Sequence, residues 1–407
     1  MSDVHVPAGG RVKLTKVDGD LHAGPASVIE SEAGGTVIVT GAVECEGDVV
    51  VAAPLECASL EIRDGRLRAE AALTIGEGLD AIDSEVQVRG TFKAGRVDVE
   101  RRLDLEGAAT ARRIDVGGQL RAKSTVSAET LSVGGQAEIL GLLTARSAEV
   151  GGTARFGPVD LDTLEVGGMI RLGGGTTRRS VEVGGTFEVE GPFKFGTLEV
   201  GGTARLRGPA TGESIEVGGV VEADGDLTVD RLEIGGMGRV RGTLSGKSLE
   251  IGGTLESDGS VEMSGHVEIG GEGRARDVLR AGSLEVGGGV RANEIVVTST
   301  AEIDGVASTV KGLRAQTLRL GRRTRVDGPI IATTVEAERG VQLGDVYAEH
   351  VVLGRGANVR AVFADSVEVD DGAHIGRLVY TRTLKLGNGV LIDTPPERSE
   401  RRPNPPE

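Results

Sequence analysis

Large aromatic side chains are almost absent from this 407-residue chain, which has no tryptophan, two tyrosines and six phenylalanines. A core without such rings must be thin and filled by Val, Leu, Ile and Ala, which argues against a set of ordinary globular domains. Cysteine is scarce as well. Cys45 and Cys57 are the only two; they lack CxxC spacing and a second ligand pair, so a zinc knuckle or disulfide framework is excluded and buried, reduced thiols are expected. Long apolar runs are missing, since the longest, such as residues 49–55, fall far short of the roughly 20 residues that span a bilayer. Residues 1–14 hold no apolar stretch of the kind a secretory leader needs, so a cytoplasmic protein without a membrane span is expected. Positive charge is in deficit too. With a formal net charge of −16 and a pI near 5.0, neither nucleic acid nor an anionic membrane surface is expected as principal partner, because both require clustered Lys and Arg.

What the chain has is glycine, 66 residues of it against only 12 prolines, about twice the usual share. Gly-Gly pairs begin at Gly117, Gly134, Gly151, Gly167, Gly184, Gly201, Gly218, Gly235, Gly252, Gly270 and Gly287, at intervals of 16 to 18 residues and mostly 17. An aliphatic residue precedes each pair. That position keeps the register after the glycines are lost, through Ile303, Leu320, Ala337, Leu353, Val369 and Leu386, and extends back to Val99, giving eighteen consecutive coils.

Within a coil the apolar residues alternate, as at Leu198, Val200, Ala204, Leu206 and Ala210. Period two means strand, so helical repeats are excluded. Seventeen is odd, so the alternation must break once per coil, and it does so near residues 211–214. That break, Gly202 and Gly208 make three corners, hence three short faces and a triangular cross-section. The glycine corners are expected to turn sharply at positive φ. Each position returns to the same azimuth, so successive coils pair as parallel strands about 4.8 Å apart, and about 20 coils make a rod on the order of 100 Å long. The expected fold is an all-β triangular β-helix of about 20 coils, with irregular coils over residues 1–98, regular coils over 99–392 and a structureless tail over 393–407, where DTPPERSERRPNPPE offers little to bury.

The stretches GVQLGDVYAEHVVLGRGANVRAVFADSVEV (residues 340–369) and VDGDLHAG (residues 17–24) carry an aliphatic pair, a Gly-containing corner, a Gly-Asp-aliphatic step and a following Ala. In these features the chain resembles the bactofilins, the polymer-forming cytoskeletal family. The resemblance implies a right-handed β-helix that assembles end to end into nucleotide-independent filaments, with the chain itself as partner and a scaffold or cytoskeletal role.

A catalytic reading finds little to work with. His5, His22, His266, His350 and His374 make no pair at metal-ligand spacing, so no metal site or cofactor is expected. The 16–18-residue intervals leave no room for the protruding loop that β-helical acyltransferases use. None of the Gly-Gly pairs opens a helix, so they are corners and not phosphate loops. The expectation is a non-enzyme.

Two surfaces go beyond fold maintenance. Glu149, Glu165, Glu182, Glu199, Glu216, Glu233, Glu250, Glu268, Glu285 and Glu302 each precede the aliphatic position, so they face outward, one per coil. They read either as a solvated face or as a strip for a basic partner or for cation-bridged lateral packing. Arg155, Arg171, Arg205, Arg239, Arg274 and Arg291, around the next corner, are expected to compensate the ladder obliquely. At the C-terminal end, Tyr347, Phe363 and Tyr380 are spaced 16 and 17 apart as an inward aromatic column, and Tyr380, Leu384, Leu386, Val390 and Leu391 are the candidate end-to-end contact, since no folded cap follows. The alternative to self-assembly is a monomeric rod-like spacer that presents charged faces to a protein partner.

Overall fold

The structure, a computed structural model, describes residues 3–405 and contains strands and turns with no helix among them. It divides into two compact units, one ending at Gly201 and the other beginning at Gly202. Both are β-solenoids of parallel coils, about 23 turns in all with a spacing of about 17 residues.

In the first unit a representative coil runs through Arg102–Leu105 and then Ala109–Val116. The second of these bends at Arg112, where strand pairing is interrupted, so the coil has three faces. Leu103, Leu105, Ala109, Ala111, Ile114 and Val116 point inward and are buried, while the residues between them are not. The aliphatic column is stacked in register through Val99, Val116, Val133, Val150, Val166, Val183 and Val200. The second unit repeats the arrangement, with Val217, Ile234, Ile251, Ile269, Val286, Ile303, Leu320, Ala337, Leu353, Val369 and Leu386 stacked in one column. Fully burying such a side chain contributes roughly 1.5–3 kcal/mol, so stability accrues coil by coil through neighbour interfaces.

The first coils are longer. Along the same column Val6, Ala23, Cys45, Ile62, Ala81 and Val99 are partners, and the step from Ala23 to Cys45 is stretched by a corner loop that contains Gly34 and Gly35.

The corners are of two kinds, and only one matches the expectation of positive φ. In the last coils Gly340, Gly356, Gly372 and Gly389 sit at φ between 65° and 74°, as do Gly9, Gly34 and Gly47 near the start, between 64° and 71°. The Gly-Gly pairs of the middle coils have no positive φ. They need glycine for a different reason, which is axial stacking. A Cβ on Gly134 would lie 2.4 Å from the carbonyl oxygen of Gly117, and one on Gly253 would lie 2.1 Å from that of Gly236. Gly117 and Gly118 rest on the backbone of Glu100 and Arg101, later pairs such as Gly134–Gly135 and Gly252–Gly253 rest on the pair one coil back, and at these positions there is no room for a methyl group.

Phenylalanines interrupt the aliphatic core of the first unit singly at Phe92 and Phe156 and as a cluster in one place. Phe187, Phe193 and Phe195 are buried together, with Phe193 at 5.6 Å between centroids from each of the other two. Phe193 is the strand partner of Gly175, so its ring occupies a layer in which the preceding coil supplies no side chain. Thr177, between Leu161 and Phe195 in the adjoining column, is fully buried, and its Oγ1 has no hydrogen-bond partner.

Candidate assembly surfaces

The structure stacks the glutamate column as the spacing requires. In the first unit Glu149, Glu165, Glu182 and Glu199 are successive strand partners. In the second, Glu216, Glu233, Glu250, Glu268, Glu285 and Glu302 are. Two of the ten have basic neighbours, Glu268 with His266 Nε2 at 3.9 Å and Glu302 with Arg319 Nη1 at 2.8 Å. The other eight have no ion-pair partner among the described residues.

A stretch of the same column escapes a reading tied to the Gly-Gly pairs. In the first unit, above an interruption at Ser132, it runs through Glu44, Glu61, Asp80, Asp98 and Asp115. Three of these five are neutralised by arginine, Glu61 by Arg63, Asp98 by Arg96 at 2.7 Å and Asp115 by Arg113 at 2.9 Å, and Glu44 lies 2.9 Å from His22 Nδ1. His5 stacks on His22 at 4.4 Å between ring centroids, at the head of the column. Position explains the contrast. Where Asp98 and Asp115 have Arg96 and Arg113 two residues earlier, on the same outward phase, the lower ladder has Ser147, Thr163, Ser180 and Thr197. Short hydroxyls replace the cations. The rule that would have found Asp98 and Asp115 is the same one, an acidic residue just before the inward aliphatic residue.

The arginines around the corner do not compensate the ladder. They pair along the axis within their own column, Arg171 with Glu188 at 2.7 Å, Arg205 with Glu222 at 3.0 Å and Arg239 with Glu256 at 3.1 Å, while Glu138 lies between Arg121 at 3.8 Å and Arg155 at 3.7 Å. That column carries cations and anions in partial alternation, while Arg274 and Arg291, at its lower end, follow one another without an intervening acid. The glutamate ladder keeps its charge.

At the C-terminal end the candidate residues separate. Leu384 and Leu386 continue the inward columns of Val367 and Val369, yet Leu384 is only half-buried and Leu386 is 46% exposed. No strand lies on the far side of residues 383–386 among the described residues. Val390, in inward phase, is half-buried beside them. Leu391 is placed differently from the expectation: its partner is His374 on the outward phase, it is 66% exposed, and Ile392, the partner of Ile375, holds the inward position.

Tyr380 also leaves the group. The aromatic column is Tyr347, Phe363 and then Val379, whereas Tyr380 pairs with Ala364. The strand partners are 16 residues apart up to Tyr380 and 17 apart from Thr383 onward, because the register shifts between the two. Nor is the column inward. Val362, buried between Val346 and Leu378, is the inward residue, and Phe363 faces out.

The segment after Asp393 is not structureless. Glu397 and Arg398 form a strand beside Val379 and Tyr380. The Ser399 amide donates to the Tyr380 carbonyl at 2.9 Å, and Arg377 Nη2 pairs with Glu397 at 3.3 Å. Composition correctly denies this segment a core; what holds it is backbone pairing to a strand edge, which needs no apolar residue.

Of the five histidines, coil stacking brings His5 and His22 together, a pair that spacing had not suggested. Among the described residues no group of three or more His, Cys, Asp or Glu side chains could hold a metal ion. His266 hydrogen-bonds Ser283 at 2.9 Å and His374 hydrogen-bonds Asp393 at 2.8 Å. Cys45 and Cys57 are buried free thiols, and burial pushes each up to about 12. No family model, no curated protein and no solved structure matches this chain. The solenoid itself is consistent with a structural or scaffold role.

Proposed function

We propose that this protein is a non-catalytic scaffold of bactofilin-like character that acts in the cytoplasm and associates with itself end to end. The observation that carries this reading is the last coil. Its inward residues Leu384, Leu386 and Val390 remain partly exposed beside a strand edge, residues 383–386, that has no partner among the described residues. An exposed edge that continues a hydrophobic core is a template for pairing with another chain. Tyr380 continues the inward column of Ala348 and Ala364 but is paired on its far side with Arg398, Leu391 faces outward, and Ile392 takes the inward place beside Val390. Negative-stain electron microscopy of the purified protein without nucleotide tests the reading: filaments are expected, and a field of discrete single-chain particles at every concentration would refute it.

A second reading, a module that presents a charged face to a basic protein, is favoured by the eight glutamates without cations. Within the first reading the ladder serves lateral packing instead. Bundling by millimolar divalent cation that disappears in Glu165→Gln/Glu182→Gln/Glu199→Gln supports the lateral role. Capture of a basic partner by single, unassembled chains supports the second reading instead.

A further inference from the structure

The last coils carry a second surface, separate from the exposed end. Ala361, Phe363 and Val379 face outward, yet they are only 7%, 8% and 2% exposed and form an apolar cluster of their own, against which Tyr347 packs. Tyr347 and Phe363 are stacked at 4.8 Å between centroids, and the Arg377 guanidinium lies 5.8 Å from the centre of the Phe363 ring. Outward apolar residues on a solenoid face are buried only if something crosses over them. The chain segment at this place is the one after Asp393. It pairs with Val379 and Tyr380 through Glu397 and Arg398, and Arg402 then approaches Asp365, the next outward residue after Phe363, at 4.0 Å. The segment therefore passes from the coil edge back along the outer side of the cluster.

We propose that this groove is a docking site for an extended, proline-flanked peptide of mixed charge, and that its second natural occupant is the same segment of another copy of this chain. The fit is visible in the occupant already seated. Asp393 is held by His374 Nε2 at 2.8 Å, Thr394 Oγ1 donates to the Gly376 carbonyl at 3.2 Å, Glu397 meets Arg377, and the Ser399 amide donates to Tyr380. These contacts are polar and lie at the surface: residues 393–398 are all exposed. The segment brings almost no apolar side chain of its own; its release exposes Phe363 and Val379, and the same segment of another copy covers them again, so exchange leaves the buried apolar area unchanged. Its pairing partner is strand-edge backbone, which accepts any chain of the same register. Thr394, Pro395 and Pro396 form a short stiff connection between the last coil and the paired residues, the type of hinge through which identical elements are exchanged between copies. The proposal is independent of the end-to-end contact, which uses Leu384 and Leu386 on another face.

The test uses full-length chains and the strand partners Tyr380 and Arg398. The double variant Tyr380→Cys/Arg398→Cys, treated with a short thiol crosslinker, should close within one chain, while the native thiols stay buried. A mixture of Tyr380→Cys chains with size-tagged Arg398→Cys chains should give crosslinked heterodimers that increase with concentration and incubation, well above a mixture of Tyr380→Cys with Glu165→Cys chains. The same yield should persist when Leu386→Arg is added to both chains. Heterodimers no more abundant than in the control mixture, failure of the double variant to close, or loss of the heterodimer with Leu386→Arg would each overturn the proposal.

Discussion

At the scale of single residues the controlling fact is how tightly identical positions stack. Gly151 illustrates it: a Cβ there would meet the Gly134 carbonyl oxygen at 2.4 Å, whereas one on Gly35 would meet nothing within 4 Å. Gly151→Ala should therefore cost about 1–3 kcal/mol in thermal or denaturant unfolding, and Gly35→Ala should be close to neutral. Thr177 predicts the opposite sign. Its buried hydroxyl has no partner, so Thr177→Val should stabilise the protein by about 1 kcal/mol in the same measurement. Cys45 and Cys57 give a pH dependence. Their folded pKa values, about 12, lie above the unfolded value of 9.0, so their contribution is fully present below pH 9 and is lost as pH rises from 9 towards 12. Melting temperature should fall over that range, and less steeply in Cys45→Ala/Cys57→Ala.

At the scale of the element, the coil, much was legible from spacing alone. The step of 17 fixes parallel pairing, and the residue before each Gly-Gly pair is inward in every coil from Val116 to Val286. The outward glutamates follow from the same phase. What spacing could not show was why the glycines are there, since a sharp turn and a close axial approach call for the same residue. It also placed Tyr380 below Phe363, because a one-residue register shift inside a coil is invisible when only the total length is counted. The Arg column was legible as a list of residues but not as a set of pairs: side chains on one column are about 4.8 Å apart, nearer than those around a corner. The glutamate ladder makes the element-scale prediction. Glu182, between Glu165 and Glu199, should be relieved by Glu182→Gln, raising the melting temperature at low ionic strength. The gain should shrink above about 0.5 M salt, where screening falls below the coil spacing. A gain that is unchanged by salt would mean that repulsion is not its source.

At the scale of the whole molecule, the charge and the coil ends decide how chains meet. The net charge of −16 and the unpaired glutamates keep flanks of separate chains apart, whereas the last coil offers apolar surface and strand edge together. The strap formed by residues 393–402 covers the neighbouring face of that coil with prolines and charges, a usual way of blunting an edge, and leaves residues 383–386 open. Sedimentation velocity of the full-length protein beside Leu384→Arg/Leu386→Arg, over a wide concentration range without nucleotide, tests this most directly. Concentration-dependent large assemblies are predicted for the native chain, and for the variant only single chains and the small oligomers that exchange of residues 393–402 allows, with unchanged circular dichroism and melting, because the new charges stay in water at a free end and are buried unpaired in a junction. A native chain that sediments as one small species throughout, or a variant that assembles as the native chain does, would contradict end-to-end association through the last coil.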